Sequence, residues 1–344
     1  MKGFNKNDLN KINIFFNDFL QRNSDYQFFF DHLPEIGYTC ESLRKVARPY
    51  YPVLNKVRED TSYKQIPVYS INLRLHYAQK FYQQHQIDFD VNEIFNRGFI
   101  TPNINTYVEE TEKERIYYPY LGGFCKNDKT KIEVPNTGYI SDTAILIHEL
   151  SHYRNALINI STPAREVFTE TIAYTEEFIF WNDNEKVFPE APFFKRSSLK
   201  TLLNTVINIE SVVAMLIVYI KCGDISKSSY ELYFGESDDY DYELDVLVDY
   251  LNHKKYSIFQ SLEYVIALLL FPYMYYRYLE DKTYMTKIQE LHELIKTESI
   301  LTCLNHIGIK EVSFEQIKTL SEFYGLLLSE NFSLEKEDTK KLEL

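Results

Sequence analysis

Apolar residues recur at helical spacing along most of the chain. Near the start, Leu9, Ile12, Phe16 and Phe19 are three or four residues apart, as on one face of a helix. The same periodicity predicts helices over 7–22, 68–86, 142–158, 163–182, 195–222, 240–252, 257–281, 284–305 and 313–330. We therefore expect a mainly α-helical fold.

One stretch, residues 100–141, departs from the helical pattern. It holds three glycines, three prolines and short β-type runs at 116–121 and 131–134. Turn residues between such runs predict short strands. We expect a hairpin or a small β-sheet beside the helix predicted at 142–158, with Ser141 or Asp142 as the cap of that helix.

Composition narrows the classes of partner. The chain has 344 residues and a formal net charge of −13, which disfavours binding to nucleic acid or to anionic lipid. The apolar runs 212–220 and 264–276 are too short, or too interrupted by Pro272, to span a membrane. We expect no nucleic-acid or membrane partner and a cytoplasmic location, with export by a route without a cleaved signal left open.

One motif points to metal chemistry: His148 and His152 flank Glu149 in the pattern H-E-x-x-H. Histidines four residues apart share a helix face, so both imidazoles can bind one zinc ion per chain. Glu149 is then placed to take a proton from a water molecule at that ion. The alternative is a pair of buried core histidines without metal.

The next predicted helix offers a third ligand. Glu170 follows a turn at 160–163 that brings the second helix back alongside the histidines, and Glu166, Tyr174 and Glu177 share its stripe. Buried acids are costly unless a cation faces them. We expect Glu170 to bind the metal and Glu166 and Glu177 to orient the histidines. The alternative is a solvated acidic face, and distant His253 is the other imidazole left open as a ligand.

Four stretches carry a resemblance to a known family. They are 132–138 with Asp142, the H-E-x-x-H helix, 168–170 with Glu177, and the tyrosine-rich segment 271–279. Together they resemble the thimet oligopeptidase and oligoendopeptidase F family of zinc metallopeptidases, over about residues 116–330. The resemblance implies a gluzincin-like helical peptidase that cleaves oligopeptides.

The resemblance also implies roles for residues outside the zinc motif. Tyr275 and Tyr278 match the family's tyrosines that stabilise the oxyanion. An extended peptide substrate would add a strand by backbone hydrogen bonds along Lys131, Ile132, Glu133 and Val134.

The chain departs from the family in two respects. Ile266 stands where the family usually has a histidine, so either another donor, of which His253 is the nearest, takes its role or the mechanism lacks it. Family members also have a longer N-terminal helical lobe. We expect a helical lid or partial lobe over 1–115, the catalytic domain over 116–334 and a charged tail over 335–344.

Two alternative functions stay open beside an oligopeptidase. The Asn-, Lys- and Tyr-rich composition suits a bacterial effector or toxin that cuts one folded protein. A non-enzymatic helical interaction module with a vestigial zinc motif is the other. The sequence leaves the oligomeric state open.

Overall fold

The computed structural model describes residues 9–14, 16–17, 67–103, 106–110, 115–119, 123–126, 131–156, 162–235, 239–253, 260–310, 319, 323–324 and 328. Its helices are α1 Ile71–Gln84, α2 Val91–Asn96, α3 Ser141–Asn155, α4 Pro163–Asn184, α5 Ala191–Cys222, α6 Lys227–Phe234, α7 Asp239–His253, α8 Gln260–Glu280, α9 Tyr284–Leu294 and α10 Ile300–Ile307. Its strands are β1 Ile100–Asn103, β2 Thr106–Glu110, β3 Arg115–Pro119, β4 Phe124–Cys125 and β5 Ile132–Pro135. The predicted mainly helical fold is confirmed.

Most predicted helices in the described ranges match within a few residues, but the helix predicted over 284–305 is wrong. The chain forms α9 and α10 there instead, with a break between them. The Ser299 side chain accepts a hydrogen bond from the Thr302 N–H at 3.1 Å and starts α10. Most of the helices predicted over 7–22 and 313–330 lies outside the described residues.

The strands form two small units before α3. In the first, β5 lies between β1, which is parallel to it, and β4, which is antiparallel. In the second, β2 and β3 form an antiparallel hairpin. The expected small sheet is therefore present, and the domain boundary predicted after residue 115 falls inside strand β3 of this hairpin.

The two helices that carry His148, His152 and Glu170 begin differently. The hydroxyl of Thr162 accepts a hydrogen bond from the Arg165 N–H at 3.2 Å, so Thr162 caps α4 as Ser or Thr commonly does. Helix α3 starts after Ile140 without a side-chain cap, so the predicted cap at Ser141 or Asp142 is wrong. Asp142 lies in the first turn instead, where its carboxylate binds Arg74 of α1.

Helix α4 lies at the centre of the described core. It packs against α3 on one side and most extensively against α8 on another. Phe168 and Ile172 of α4 are fully buried in the same apolar cluster as Ile147 of α3 and Phe271 of α8. Within the described ranges, no helix has the length and apolar character needed to cross a bilayer.

Candidate metal centre

Three side chains from two helices converge at one point. Nε2 of His148 lies 3.3 Å from one carboxylate oxygen of Glu170. Nε2 of His152 lies 3.3 Å from the other oxygen. One ligand atom from each residue lies within 4.8 Å of the others, so the group could hold a metal ion.

The two 3.3 Å contacts are to different oxygens of Glu170, so each imidazole–carboxylate pair, rather than the full set of three, has the spacing expected around one tetrahedral ion. Zinc bonds of about 2.0–2.2 Å in tetrahedral geometry separate the ligand atoms by roughly 3.3–3.5 Å. The Oε2 atom of Glu170 is buried and makes no hydrogen bond of acceptable geometry, although His148 is beside it. Such an orphaned buried oxygen is costly by itself and is satisfied when a cation lies between the carboxylate and the imidazoles.

The second nitrogen of His148 has its own carboxylate partner. Nδ1 lies 3.2 Å from Oε2 of Glu177. An imidazole that binds a metal through Nε2 usually donates its Nδ1–H to such a carboxylate, which fixes the ring. The structure thus brings Glu177 to a histidine, whereas the side chains of Glu166 and His253 lie outside the described part of the chain.

The electrostatics of the group favour a positive charge at its centre. Burial lowers the pKa of His148, but the adjacent carboxylates of Glu170 and Glu177 outweigh it and raise this pKa well above its usual value. Burial raises the pKa of Glu170, but the two histidines outweigh it and hold this pKa well below its usual value. Either a proton or a metal cation at the centre of the group balances the negative charge of these carboxylates.

The carboxylate of Glu149 lies next to this group under a strand. Glu149 is 6% exposed, and burial raises its pKa despite the neighbouring imidazoles. Gly123, just before β4, contacts it closely: a Cβ atom there would lie 2.5 Å from Oε1 of Glu149. Gly123 was not among the predicted site residues, although the pair Gly122–Gly123 was the available signal.

A tyrosine of α4 also contacts the group. The ring of Tyr174 packs edge-on against the ring of His148, with centroids 4.8 Å apart. Burial, neighbouring Tyr264 and the surrounding carboxylates raise the pKa of Tyr174 well above its usual value. Its hydroxyl therefore stays protonated and can donate a hydrogen bond.

The two tyrosines implied by the family resemblance lie elsewhere. The hydroxyl of Tyr278 donates to Asp183 at 2.6 Å, and the hydroxyl of Tyr275 accepts from Lys195 at 2.8 Å. Asp183 follows Glu170 by 13 residues on α4, which is about 20 Å along the helix.

The direction of α8 explains this displacement. Tyr264, early in α8, contacts Tyr174 of α4, and Tyr275 contacts the later residue Phe178. The two helices are therefore parallel, and the tyrosine-rich end of α8 lies away from the three candidate ligands. Ile266, at the position of the family histidine, is fully buried in the core.

The strand predicted to bind substrate lies inside the sheet. Ile132 pairs with Ile100 on one side and with Cys125 on the other, and Glu133 is likewise flanked on both sides. Lys131 forms an ion pair with Glu133, and Val134 pairs with β1. At Ile132 and Glu133 both sides of β5 are already paired, so a peptide cannot add at these two positions without displacing a strand. Among the described strands only one neighbour, β5, covers β4.

Comparisons with known proteins identify no relative of this chain. Neither the family models, nor the curated proteins, nor the solved structures contain a match to this chain. Any function assigned to the protein therefore depends on the geometry of the His148, His152 and Glu170 group.

Proposed function

We propose that this protein is a zinc-dependent peptidase of the zincin type. The observation that carries the proposal is the convergence of His148, His152 and Glu170, with the buried carboxylate of Glu149 beside them. Two imidazoles and one glutamate are a ligand set of catalytic zinc, and three protein ligands leave a fourth position open. This composition supports zinc over calcium or magnesium, which prefer oxygen ligands.

In this mechanism, different residues of the chain have different roles in peptide hydrolysis. When bound, zinc supplies a water molecule of lowered pKa and a positive charge for a developing oxyanion. Glu149 accepts a proton from the attacking water and passes it to the amine nitrogen as the peptide C–N bond breaks. Glu177 holds the ring of His148 through Nδ1.

An extended peptide is the substrate that best suits the surroundings of Glu149. Among the described strands, none covers the outer edge of β4, and Gly123 before it contacts Glu149. A peptide pairing with that edge would be held by backbone hydrogen bonds, which are largely blind to side chains. We therefore propose oligopeptides as the substrate class.

The first experiment measures metal and cleavage together. Elemental analysis should find about one zinc per chain, and mass spectrometry of a peptide mixture should show cleavage that a chelator abolishes. Glu149→Gln should keep zinc and lower kcat by about 10²-fold or more, because general-base catalysis contributes that much. His148→Ala should lose zinc and activity together.

Controls separate this proposal from the alternatives. Glu93→Gln removes a carboxylate that is 64% exposed on α2 and should change neither zinc content nor kcat. Zinc at 100 times its Kd should add about 2.7 kcal/mol to the free energy of unfolding of the wild type but not of His148→Ala. Absence of both stoichiometric zinc and cleavage would contradict the proposal and leave the non-enzymatic module. Cleavage of one intact protein but of no peptide would favour the effector.

A further inference from the structure

Tyr174 occupies the position between the two carboxylates that hold His148. On α4, Glu170 precedes it by four residues and Glu177 follows it by three, so the three side chains share one helix face. Glu170 lies beside Nε2 of His148 and Glu177 beside Nδ1. The ring of Tyr174, 7% exposed, contacts the imidazole between them.

Among the described residues, the hydroxyl of Tyr174 has no hydrogen-bond partner, so it is available to a ligand. In the part of the chain described, Tyr174 makes ring contacts with His148, Tyr264 and Phe271, and its hydroxyl takes part in no hydrogen bond. The hydroxyls of Tyr275 and Tyr278, by contrast, are bound to Lys195 and Asp183. A hydroxyl without a protein partner in a buried polar site is suited to donate to a bound substrate.

We propose that Tyr174 donates the hydrogen bond that stabilises the oxyanion during peptide hydrolysis. This inference depends on the peptidase function proposed above and assigns one further catalytic residue to the same site. It gives Tyr174 the role that the family resemblance gave to Tyr275 and Tyr278.

The proposed hydrolysis needs no reactant other than the peptide and one water molecule. The water oxygen bonds to the carbonyl carbon, the π electron pair moves onto the carbonyl oxygen, and Glu149 takes the water proton. Tyr174 donates a hydrogen bond to the new oxyanion and keeps its own proton. When the C–N bond breaks, the electron pair returns to re-form the carbonyl, and Glu149 delivers its proton to the nitrogen.

Tyr174→Phe tests the inference because it removes the hydroxyl and keeps the ring against His148. Zinc content and KM should stay within about twofold, whereas kcat should fall by about 10²- to 10³-fold, as for loss of one oxyanion donor. A peptide phosphonate, which mimics the tetrahedral oxyanion, should bind the variant more weakly by a similar factor. The affinity for the cleaved peptide products should not change.

The matched control is Tyr240→Phe, which removes another buried hydroxyl, bound at 2.9 Å to the Ile225 carbonyl. It should retain the kcat and phosphonate affinity of the wild type. If Tyr174→Phe retains both as well, the inference is overturned while the peptidase function stands. Loss of zinc from Tyr174→Phe would also overturn it, since the residue would then support the ligands only. A wild type that cleaves no peptide and binds no phosphonate would overturn both proposals.

Discussion

Residue 123 is a glycine, and its lack of a side chain leaves room for the carboxylate of Glu149, the candidate general base. Gly123 lies so close to Glu149 that a methyl group would overlap Oε1 and also Cγ, at 2.5 and 2.6 Å. Glu149 is buried, so its carboxylate cannot move away into open solvent. The glycine therefore lets the strand backbone pass over the carboxylate without displacing it.

We expect Gly123→Ala to lower kcat by about tenfold or more, because a displaced general base loses its alignment with the attacking water. Zinc affinity should stay within about threefold, since the three atoms nearest to the added methyl group all belong to Glu149 and not to a proposed ligand. Steady-state kinetics and zinc titration measure the two effects. Cys125→Ala, two residues later in β4, adds no atom and serves as the control. Unchanged kcat in Gly123→Ala would contradict the predicted overlap.

At the scale of elements, α4 presents polar side chains to different neighbours along its length. Glu170 and Glu177 face the histidines of α3, whereas Asp183, near the end of α4, faces α1 and α8. Asp183 accepts from Tyr278 and lies 3.2 Å from Nε2 of His85. This second group holds the ends of three helices together, which indicates a structural role for Tyr278.

Tyr278→Phe should lower the free energy of unfolding by about 1–2 kcal/mol, because it removes a hydrogen bond to a carboxylate. Zinc content should not change. Urea unfolding monitored by circular dichroism gives the first quantity, with the 65% exposed Tyr242, changed to Phe, as a control expected within about 0.5 kcal/mol of the wild type. An unaltered stability combined with a large drop in kcat would return Tyr278 to the catalytic role implied by the family.

At the scale of the whole molecule, a buried ionic network links α3 and α4 to the later helix α9. Glu176 of α4 is fully buried and accepts from Arg154 of α3 at 2.9 Å. The same oxygen of Glu176, Oε1, lies 3.0 Å from Nε2 of His292 of α9. Burial, and then Arg154, lower the pKa of His292 to about 4. Burial raises the pKa of Glu176, but Arg154 and His292 outweigh it and bring this pKa to about 2.

Acid should therefore destabilise the fold in a defined pH window. The pKa of His292 falls from about 6.5 in the unfolded chain to about 4 in the folded chain. The contribution of neutral His292 to the free energy of unfolding is therefore complete above pH 6.5 and is lost as the pH falls to 4. The loss amounts to up to about 3 kcal/mol, and Glu176 adds a further loss below pH 4.5. Urea unfolding at several pH values should show a smaller slope between pH 6.5 and 4 in His292→Gln. Equal slopes would contradict the assignment.

The sequence predicted the parts of the site that depend on local spacing. His148 and His152 were found because helical periodicity alone places residues four apart on one face. Glu170 was found because a short connection forces two consecutive helices to pack antiparallel. Tyr174 was placed on the stripe of Glu170 without a role, and Gly123 was given none either, since their roles depend on which atoms approach them in space.

The features that the sequence did not predict depend on contacts between distant segments. Nothing local shows that α8 runs parallel to α4, and this direction decides where Tyr275 and Tyr278 lie. The central position of β5 depends on pairing with β1, which precedes it by about thirty residues of sequence. The break between α9 and α10 was missed because the cap at Ser299 interrupts an otherwise continuous apolar pattern.

The packing of α8 on α4 has a consequence for the order of events on the ribosome. All three candidate ligands leave the exit tunnel before residue 260, where α8 begins. Until α8 has emerged, the nascent helix pair lacks the surface that buries Phe168 and Ile172, and the ligands lack a fixed arrangement. If this group binds a cation, the ion would therefore be held in a fixed site only after Gln260–Glu280 has left the tunnel.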